Sequence, residues 1–555
     1  MRLLSLALVS TLALSGGFQK AASANVETSA LPQVEVPALS EKTMQDVTRE
    51  LSLDTYEGRA PGSIGEEKTV SHLISKFKAA GLEPGNHGSW TQDVPLIEIT
   101  AKNVSTLNIA DRNGKAMSFA YGSEYVIGSY RETPKTVINQ SDIVFVGHGI
   151  VAPERGWNDY AGVDVKGKTV VVMVNDPDFE NEGLDGPFGG KAMTYYGRWT
   201  YKYEEAARQG AAAVLIIHDT APAAYGWNVV NSSWTGTQFL AQSKDGGKSQ
   251  TQANGWIQKS VAKDIFAAAG QDLEKQMAAA KQKGFKAVPL NLTASLSFEN
   301  DIARKASKNV IGVMKGTKRP SEYVLYTAHW DHLGRCTAAA DGDDICNGAV
   351  DNATGTAALV ALAEGYAKAG APNRSVVFLA VTAEESGLLG SKFYAENPVF
   401  PLSQTVGGVN MDAFSMSGPA KNLTVIGKGK SQLDSYLEAA AKSEGRTPEM
   451  EPTPEKGFYY RSDHFSFAKL GVPMVYFEGG DDLVTGGKAA ADDYEMNRYH
   501  APSDEYDEKW DWSGVMSDLK LYYRVGRMLA MTDAWPNWNE GDEFRAVRDK
   551  SRNGK

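Results

Sequence analysis

The stretch YVLYTAHWDH, residues 323–332, indicates the fold class of this chain and contains its first candidate functional residues. Its first six residues form a nearly continuous apolar run, which is typical of a strand buried on both faces of a sheet. Three later runs share this character: residues 375–381 (SVVFLAV), 406–411 (VGGVNM) and 472–477 (VPMVYF). Helical patterns occupy residues 356–368, 431–443 and 513–531. This alternation predicts an α/β fold in which a mostly parallel, mixed sheet is flanked by helices.

Polar side chains follow these strands at the points where the apolar runs end. In an open α/β sheet, ligands bind outside the carboxyl ends of the strands, where separate loops converge. A lone His or Asp there is usually a helix cap or a turn residue, but independent accidents at successive strand ends are far rarer. The potential metal ligands in these loops are His329, Asp331, His332, Asp351, Glu384, Glu385, Asp412, Asp463, His464 and His500.

Some of these donors match the needs of two zinc ions that share one carboxylate. Two imidazoles and three carboxylates supply that set: His329, His500, Asp351, Glu385 and Asp412. Glu384 is adjacent to Glu385, and adjacent side chains on an extended segment point in different directions. One of the two can therefore bind metal while the other faces the attacking water as general base. Asp331, two residues after His329, is predicted to orient an imidazole with its carboxylate.

The order of the motifs resembles a known family. HxD (329–331), GAxDNAxG (348–355), EExGLxGS (384–391), NMDxF (410–414), SDHxxFxxxGVP (462–473) and YHxxxD (499–504) occur in sequence. This set is similar to the co-catalytic zinc peptidases that include bacterial leucyl aminopeptidases, glutamate carboxypeptidase and the glutaminyl cyclases. The likeness covers about residues 309–504, with a weaker echo at residues 56–59.

The resemblance implies a role for each matching residue. Asp351 would bridge two zinc ions, and the peptide bond after it would be cis. His329 and Asp412 would complete one ion, Glu385 and His500 the other, and Glu384 would be the general base. Tyr499 is similar to the tyrosine that stabilises the tetrahedral oxyanion in some members.

Two further histidines need separate interpretation. The family's ligand is the His of the YH motif, so His500 is preferred to His464, and Asp463 and His464 are expected near the substrate behind the ligands. His332 is assigned a loop role without metal. Cys336 and Cys346 flank the loop between His329 and Asp351. They can pair in an oxidising compartment, but the sequence does not supply the required Cα distance, so this pairing stays open.

Composition excludes several classes of protein. Lys and Arg number 57 against 68 Asp and Glu, a net charge of −11, which argues against a nucleic-acid binder. Two cysteines are too few for a thiolate zinc or iron–sulfur site. The apolar stretch 3–14, followed by Ala22-Ser23-Ala24, predicts a signal peptide over residues 1–24 and a periplasmic or secreted protein. No later apolar run is long enough to predict a membrane span.

The length of 555 residues predicts at least two cores. Residues 25–134 are interpreted as the N-terminal part of a peptidase domain, residues 135–300 as a β-rich insert, and residues 301–555 as the catalytic domain. FVGHGI (145–150), VKGK (165–168) and AARQGAAAV (206–214) in the insert resemble a protease-associated domain. The aromatic residues of 195–203 either line a cleft or form core.

The main hypothesis is a secreted or periplasmic exopeptidase with two zinc ions, in the first place an aminopeptidase acting on peptides. It would use a water held between the ions and Glu384 as base. Three alternatives share the scaffold: a glutaminyl cyclase, a carboxypeptidase like glutamate carboxypeptidase, and an inactive binding ectodomain. The carboxypeptidase would need converging arginines, for which Arg335, Arg461 and Arg498 are the candidates. The sequence predicts no oligomeric state.

Overall fold

The computed structural model describes residues 31–336 and 338–552, so the predicted signal peptide lies outside the described residues. No helix in the described part of the chain has the length and apolar character of a membrane span. The helices are α1 Glu41–Leu51, α2 Ile64–Ala79, α3 Trp199–Arg208, α4 Thr220–Ala223, α5 Trp227–Trp234, α6 Lys259–Ala268, α7 Leu273–Ala280, α8 Gly355–Ala369, α9 Leu389–Glu396, α10 Leu433–Ser443, α11 His464–Lys469, α12 Gly487–Asn497, α13 Ser513–Met531 and α14 Arg545–Arg552.

The strands lie between residues 83 and 479. They are β1 Glu83–Pro84, β2 Thr91–Lys102, β3 Leu107–Asp111, β4 Ala116–Phe119, β5 Tyr125–Gly128, β6 Lys135–Phe145, β7 Val151–Ala152, β8 Trp157–Asn158, β9 Thr169–Met173, β10 Ala213–His218, β11 Gln238–Ala241, β12 Ala253–Gln258, β13 Val288–Met314, β14 Arg319–His329, β15 Gly334–Arg335, β16 Ile345–Cys346, β17 Arg374–Val381, β18 Thr405–Asn410, β19 Asn422–Val425, β20 Thr447–Met450 and β21 Met474–Gly479.

The catalytic sheet is built around β14. This strand pairs in parallel with β17 on one side and with β18 on the other, and β21 continues the parallel arrangement beside β18. β13 adds an antiparallel strand beside β17. The prediction of a mostly parallel, mixed sheet flanked by helices is confirmed.

Helices cover both faces of this sheet, which explains why its strands are apolar throughout. On one face, Tyr326 and Phe378 share a core with α1, α8, α10 and α13. On the other face, Leu325 and Leu379 share a core with residues of α9 and α11. Because each fully buried side chain of this size contributes about 1.5–3 kcal/mol, polar substitutions on either face would be strongly destabilising.

A second, β-rich unit lies in the middle of the chain. β6, β9, β10 and β12 pair in parallel in that order, and β5 pairs antiparallel with β12. The core of this unit also contains Leu107, Ile109 and Ile127, which belong to β3 and β5. These core residues precede the predicted insert of residues 135–300, and we propose that the inserted unit begins after β2. The long strand β13 connects the two parts, since it pairs first with β6 and then with β17.

An aromatic cluster joins the inserted unit to the catalytic part. The Tyr195 ring is buried and lies 5.1 Å from the Phe465 ring, measured between centroids. Lys469 Nζ lies 2.6 Å from both the Tyr195 hydroxyl and Glu204 Oε1, so α11 is tied to α3 by an ion pair. Of the two interpretations of the aromatic stretch, the structure supports the core.

Cys336 and Cys346 form a disulfide, so the pairing that the sequence left open is present in the structure. The bond links the ends of a small hairpin in which β15 pairs with β16. This hairpin occupies the chain between His329 and Asp351.

Candidate metal centre

The predicted ligands converge at one edge of the catalytic sheet because β14, β17 and β18 run in parallel and end there. The segment before α8 and the segment after α12 approach the same edge. The structure brings together His329, Asp351, Glu384, Glu385, Asp412 and His500.

His329 lies between two carboxylates. Its Nε2 is 2.9 Å from Asp412 Oδ1 and 3.2 Å from Asp351 Oδ1. Its Nδ1 is 3.2 Å from the backbone oxygen of Asp331. An Nδ1–H that donates to this oxygen leaves the lone pair of Nε2 for a metal ion, and fixes the ring orientation.

Asp331 supports the site in a different way from the prediction. Its carboxylate Oδ1 is 3.9 Å from His329 Nδ1, too far for a hydrogen bond. The same oxygen accepts a hydrogen bond from the backbone nitrogen of Glu384 at 3.2 Å. Burial raises the pKa of Asp331 to about 8. The backbone of Asp331 thus orients the imidazole, while its carboxyl group holds the turn that carries Glu384.

Asp351 faces two imidazoles, each with a different oxygen. While Oδ1 faces His329, Oδ2 lies 3.3 Å from His500 Nε2. His500 Nε2 is also 3.1 Å from Glu385 Oε2. The Asp351–Asn352 peptide bond is cis, as the resemblance implied. A carboxylate in this position can join two metal positions, one beside His329 and one beside His500.

The spacing of the donor atoms fits zinc. Two atoms that bind one tetrahedral zinc ion at about 2.0–2.1 Å lie about 3.3 Å apart, and the four nitrogen–oxygen distances above run from 2.9 to 3.3 Å. The charge also fits, because three carboxylates surround two imidazoles. Burial alone would lower the pKa of His500, but Asp351 and Glu385 raise it to about 10. Two divalent cations would neutralise this excess negative charge.

His332 is a further candidate ligand, although its sequence predicted only a loop role. The ring is fully buried, and Nδ1 lies 2.6 Å from Glu385 Oε1. Among the described residues, neither ring nitrogen has a well-aligned hydrogen bond. Together with Asp351 and Glu385, His332 forms one of the groups whose donor atoms are close enough to hold an ion. The position of His332 in the stretch HWDH (329–332) was the available sequence signal for a ligand role. This spacing alone does not distinguish a metal ligand from a loop histidine.

Glu384 lies beside the metal positions without taking part in the contacts of Glu385. Its backbone oxygen accepts hydrogen bonds from Gly387 and Leu388, which closes a tight turn after β17. The side chain is 9% exposed and shares a donor group with His329 and Glu385. Burial raises the pKa of Glu384 well above its usual value, and His329 only partly opposes this. A carboxyl group of raised pKa is suited to take up and release a proton.

A chain of hydrogen bonds fixes Asp412. Ser462 Oγ donates to Asp412 Oδ2 at 2.6 Å, and Asn410 Nδ2 donates to Ser462 Oγ at 2.7 Å. Thr327 Oγ1 in turn donates to Asn410 Oδ1 at 2.7 Å. The sequence did not reveal this role of Ser462, although the residue opens the SDH motif.

Asp463 and His464 differ in their surroundings. Asp463 is fully buried, and burial raises its pKa to about 7, although the nearby His329 opposes this increase. His464 packs on the rings of Tyr459 and Tyr476, with centroids 4.6 and 5.0 Å away. In the described chain it makes no hydrogen bond to a predicted ligand. The arrangement supports the preference for His500 as ligand, and it packs His464 against aromatic rings. The place of His464 near the substrate stays a prediction.

The segment after α12 carries three residues to the site. The Tyr499 ring is 50% exposed and stacks on His500 with centroids 3.9 Å apart. Asp504, the last residue of the YHxxxD motif, is fully buried. Its carboxylate accepts hydrogen bonds from the backbone nitrogens of Val350 and Asp351 at 3.0 and 3.1 Å. Asp504 therefore holds the loop that carries Asp351, a role that the sequence did not predict.

Comparisons with known proteins point in one direction. The family model of Peptidase family M28 matches residues 309–523. Aminopeptidase NAALADL1 of Mus musculus is 30% identical over 160 residues, which are 28% of this chain and 19% of the mouse protein. Probable glutamate carboxypeptidase LAMP1 of Arabidopsis thaliana is 31% identical over 160 residues, 28% of this chain and 21% of that protein. The family resemblance inferred from the motifs is confirmed, and the match spans about a fifth of each relative.

Solved structures of aminopeptidases are also among the proteins similar to this chain. An aminopeptidase from Aneurinibacillus sp. strain AM-1 is similar over 90% of this chain and 95% of that chain, with 21% sequence identity and a TM-score of 0.49. A zinc aminopeptidase from Bacillus subtilis is similar over 90% of this chain and 97% of that chain, with 17% identity and a TM-score of 0.43.

Proposed function

We propose that this chain, whose residues 309–523 form a Peptidase family M28 domain, is a zinc-dependent exopeptidase that removes residues from the amino ends of peptides. One observation carries the proposal: Asp351 presents one carboxylate oxygen to His329 and the other to His500. Hydrolytic sites with two metal ions use a shared carboxylate in this way.

Each of the two metal positions has its own ligands. His329 and Asp412 would hold one zinc ion, Glu385 and His500 the other, and Asp351 would contribute one oxygen to each. When bound, zinc supplies Lewis-acid polarisation of a carbonyl group and makes water acidic enough to react near neutral pH.

Glu384 would move the protons of the reaction. Its side chain is nearly buried and lies in the same donor group as His329 and Glu385, which places its carboxyl group beside the proposed metal positions. The raised pKa allows its carboxylate to take a proton from the attacking water and to pass it to the leaving amine nitrogen. Such general acid–base catalysis contributes roughly 10²–10⁴-fold to the rate.

Tyr499 would stabilise the negative charge that develops on the carbonyl oxygen. Its ring is stacked on His500 and is half exposed, which supports a place beside the second metal position. A hydroxyl that donates to the developing oxyanion lowers the barrier because it interacts more strongly with the transition state than with the substrate.

Two of the three candidate arginines, Arg335 and Arg498, argue against a carboxypeptidase that recognises acidic carboxyl ends. Arg335 pairs with Asp344 at 2.7 Å. Arg498 donates to the backbone oxygens of Ser503 and Glu505. Both guanidinium groups are therefore already engaged. An inactive ectodomain is also disfavoured, because all five predicted ligands and the base are present.

The compartment of the protein is part of the same proposal. A signal peptide over residues 1–24 would direct the chain to the periplasm or the exterior. The disulfide between Cys336 and Cys346 supports this, because disulfides persist in oxidising compartments and are rare in the cytosol.

A substrate panel tests the proposed activity. The purified, zinc-loaded protein would be assayed with leucine 4-nitroanilide, its N-acetyl derivative, an N-acetylated dipeptide ending in Glu, and a peptide beginning with Gln. We expect hydrolysis of the free-amine substrate and none of its acetylated form. Release of Glu from the acetylated dipeptide would identify a carboxypeptidase, and cyclisation of the Gln peptide would identify a cyclase. Either result without aminopeptidase turnover would contradict the proposal.

A further inference from the structure

Arg59 lies far from the motifs in sequence but reaches the loops that carry the ligands. Its guanidinium group is completely buried. Nε donates to the backbone oxygen of Trp330 at 2.9 Å, and Nη2 donates to that of Gly348 at 2.8 Å. Nη1 donates to the backbone oxygens of Leu51 and Asn347, both at 2.6 Å. One side chain thus joins the N-terminal helix α1, the end of β14 and the loop that precedes Asp351.

Asp504 holds the same loop from its other side. Its backbone oxygen accepts from Ala349, and its carboxylate accepts from Val350 and Asp351. The cation of Arg59 therefore binds the carbonyl groups at the start of the loop, and the anion of Asp504 binds the amide groups at its end. Hydrogen bonds to charged groups are stronger than those between neutral groups, so this loop is held more firmly than an ordinary connection.

The backbone at Arg59 is specialised for this contact. Glu57, Gly58 and Arg59 all have positive φ angles, of 48°, 64° and 53°. A Cβ atom on Gly58 would lie 2.4 Å from the backbone oxygen of Cys346, so the turn packs directly on the disulfide hairpin. Non-glycine residues are strained in this conformation, which persists where the surrounding structure enforces it.

The guanidinium group remains charged at neutral pH. Burial lowers the pKa of Arg59 to about 10, and the nearby carboxylates of Asp504 and Asp351 oppose the change. A buried cation is costly unless its hydrogen bonds are satisfied. The hydrogen bonds of Arg59 go to backbone oxygens close to His329 and Asp351, two of the proposed metal ligands. The fold alone does not require this placement.

We propose that Arg59 is a positioning residue for the metal centre, which fixes the separation of His329 and Asp351 before an ion binds. Trp330 follows His329 directly, and Gly348 lies three residues before Asp351, so the two bonded oxygens belong to the backbone next to each ligand. The inference rests on the proposed zinc site and adds to it a residue outside the family match of 309–523. A preformed site binds metal more tightly because less ordering is needed on binding.

Arg59→Lys tests the inference, with Arg548→Lys as matched control. Arg548 is also buried and donates to backbone oxygens, those of Leu402 and Val406, away from the metal centre. Lys keeps the charge but cannot bridge separated carbonyl groups with a planar fork. Zinc affinity of metal-free protein would be measured by competition with a chelator, and exchange of the amide hydrogens of 349–351 by mass spectrometry.

We expect Arg59→Lys to weaken zinc binding by 10- to 100-fold, the range found for residues that support metal ligands, and to accelerate amide exchange in 349–351. Arg548→Lys should leave zinc affinity within threefold of wild type even if its melting temperature falls. Equal affinities for wild type and Arg59→Lys, or equal losses in both variants, would overturn the inference. If Arg59→Lys does not fold, Asp504→Asn carries the same test. A wild-type protein that binds no zinc would overturn the proposed function as well.

Discussion

Replacing Glu384 and Glu385 by Gln, one at a time, separates proton transfer from metal binding. The two residues are neighbours, and Gln has nearly the same size and shape as Glu. Among the described residues, Glu384 forms hydrogen bonds only through its backbone. The Glu384→Gln protein should therefore fold normally and retain its zinc. Because it cannot accept a proton, kcat should fall by roughly 10²–10⁴-fold, which corresponds to about 3–5 kcal/mol of transition-state stabilisation.

The Glu385→Gln protein should fail for a different reason. Glu385 Oε2 lies 3.1 Å from His500 and Oε1 lies 2.6 Å from His332, so its charge is central to the second metal position. The neutral amide should release that ion on dialysis and leave about one zinc per chain. Excess zinc should then restore part of the activity of Glu385→Gln, and none of the activity of Glu384→Gln.

Both variants would be assayed with leucine 4-nitroanilide, and zinc would be counted by mass spectrometry on the same samples. A Glu384→Gln protein with two zinc ions and a kcat within tenfold of wild type would refute the assignment of the base. Loss of zinc from Glu384→Gln, with full retention by Glu385→Gln, would show that the two roles are exchanged.

Three predictions concern stability and can be measured by urea unfolding. Gly58→Ala should lower the free energy of unfolding by roughly 1–3 kcal/mol, because its Cβ would lie 2.4 Å from the Cys346 oxygen; an unchanged midpoint would contradict the close packing of this turn. Replacing Cys336 and Cys346 by Ser should lower the free energy of unfolding by roughly 3 kcal/mol, because the disulfide no longer closes a short loop in the unfolded chain. A decrease of less than roughly 0.5 kcal/mol would contradict this expectation. Burial raises the pKa of Glu451 to about 7, so its protonated form stabilises the fold and this stability is lost as pH rises from about 4.5 through 7. Metal-free Glu451→Gln should thus match wild type near pH 4 and be more stable at pH 8, by up to about 3 kcal/mol, whereas a constant difference across this range would contradict the shift.

The parts of the fold that the sequence predicted well are those in which local pattern and burial agree. The apolar run 323–328 lies within β14, and the helical patterns 356–368 and 513–531 correspond to α8 and α13. Strands buried on both faces must be apolar throughout, so their position can be read directly from composition. The proposed start of the inserted unit after β2 has no such signal, because β3–β5 resemble ordinary strands until their shared core is known.

The candidate site likewise contains residues that the sequence predicted and contacts that it did not. That the candidate ligands meet could be predicted, because metal binding restricts residue type and because parallel strands end at one edge. The supporting contacts could not, since they join residues far apart in the chain: Arg59 bonds to Trp330, and Asp504 bonds to Asp351. Asp331 illustrates a finer limit, because its backbone oxygen, which carries no sequence signal, performs the orienting role predicted for its carboxylate.

The zinc content of the purified protein tests the central claim most directly. The protein would be prepared without chelators, dialysed against metal-free buffer, and analysed by inductively coupled plasma mass spectrometry. A carboxylate that faces His329 with one oxygen and His500 with the other predicts two zinc ions per chain. About one ion per chain would contradict the bridging role of Asp351 and favour a cyclase, and a value near zero would contradict the metal centre itself.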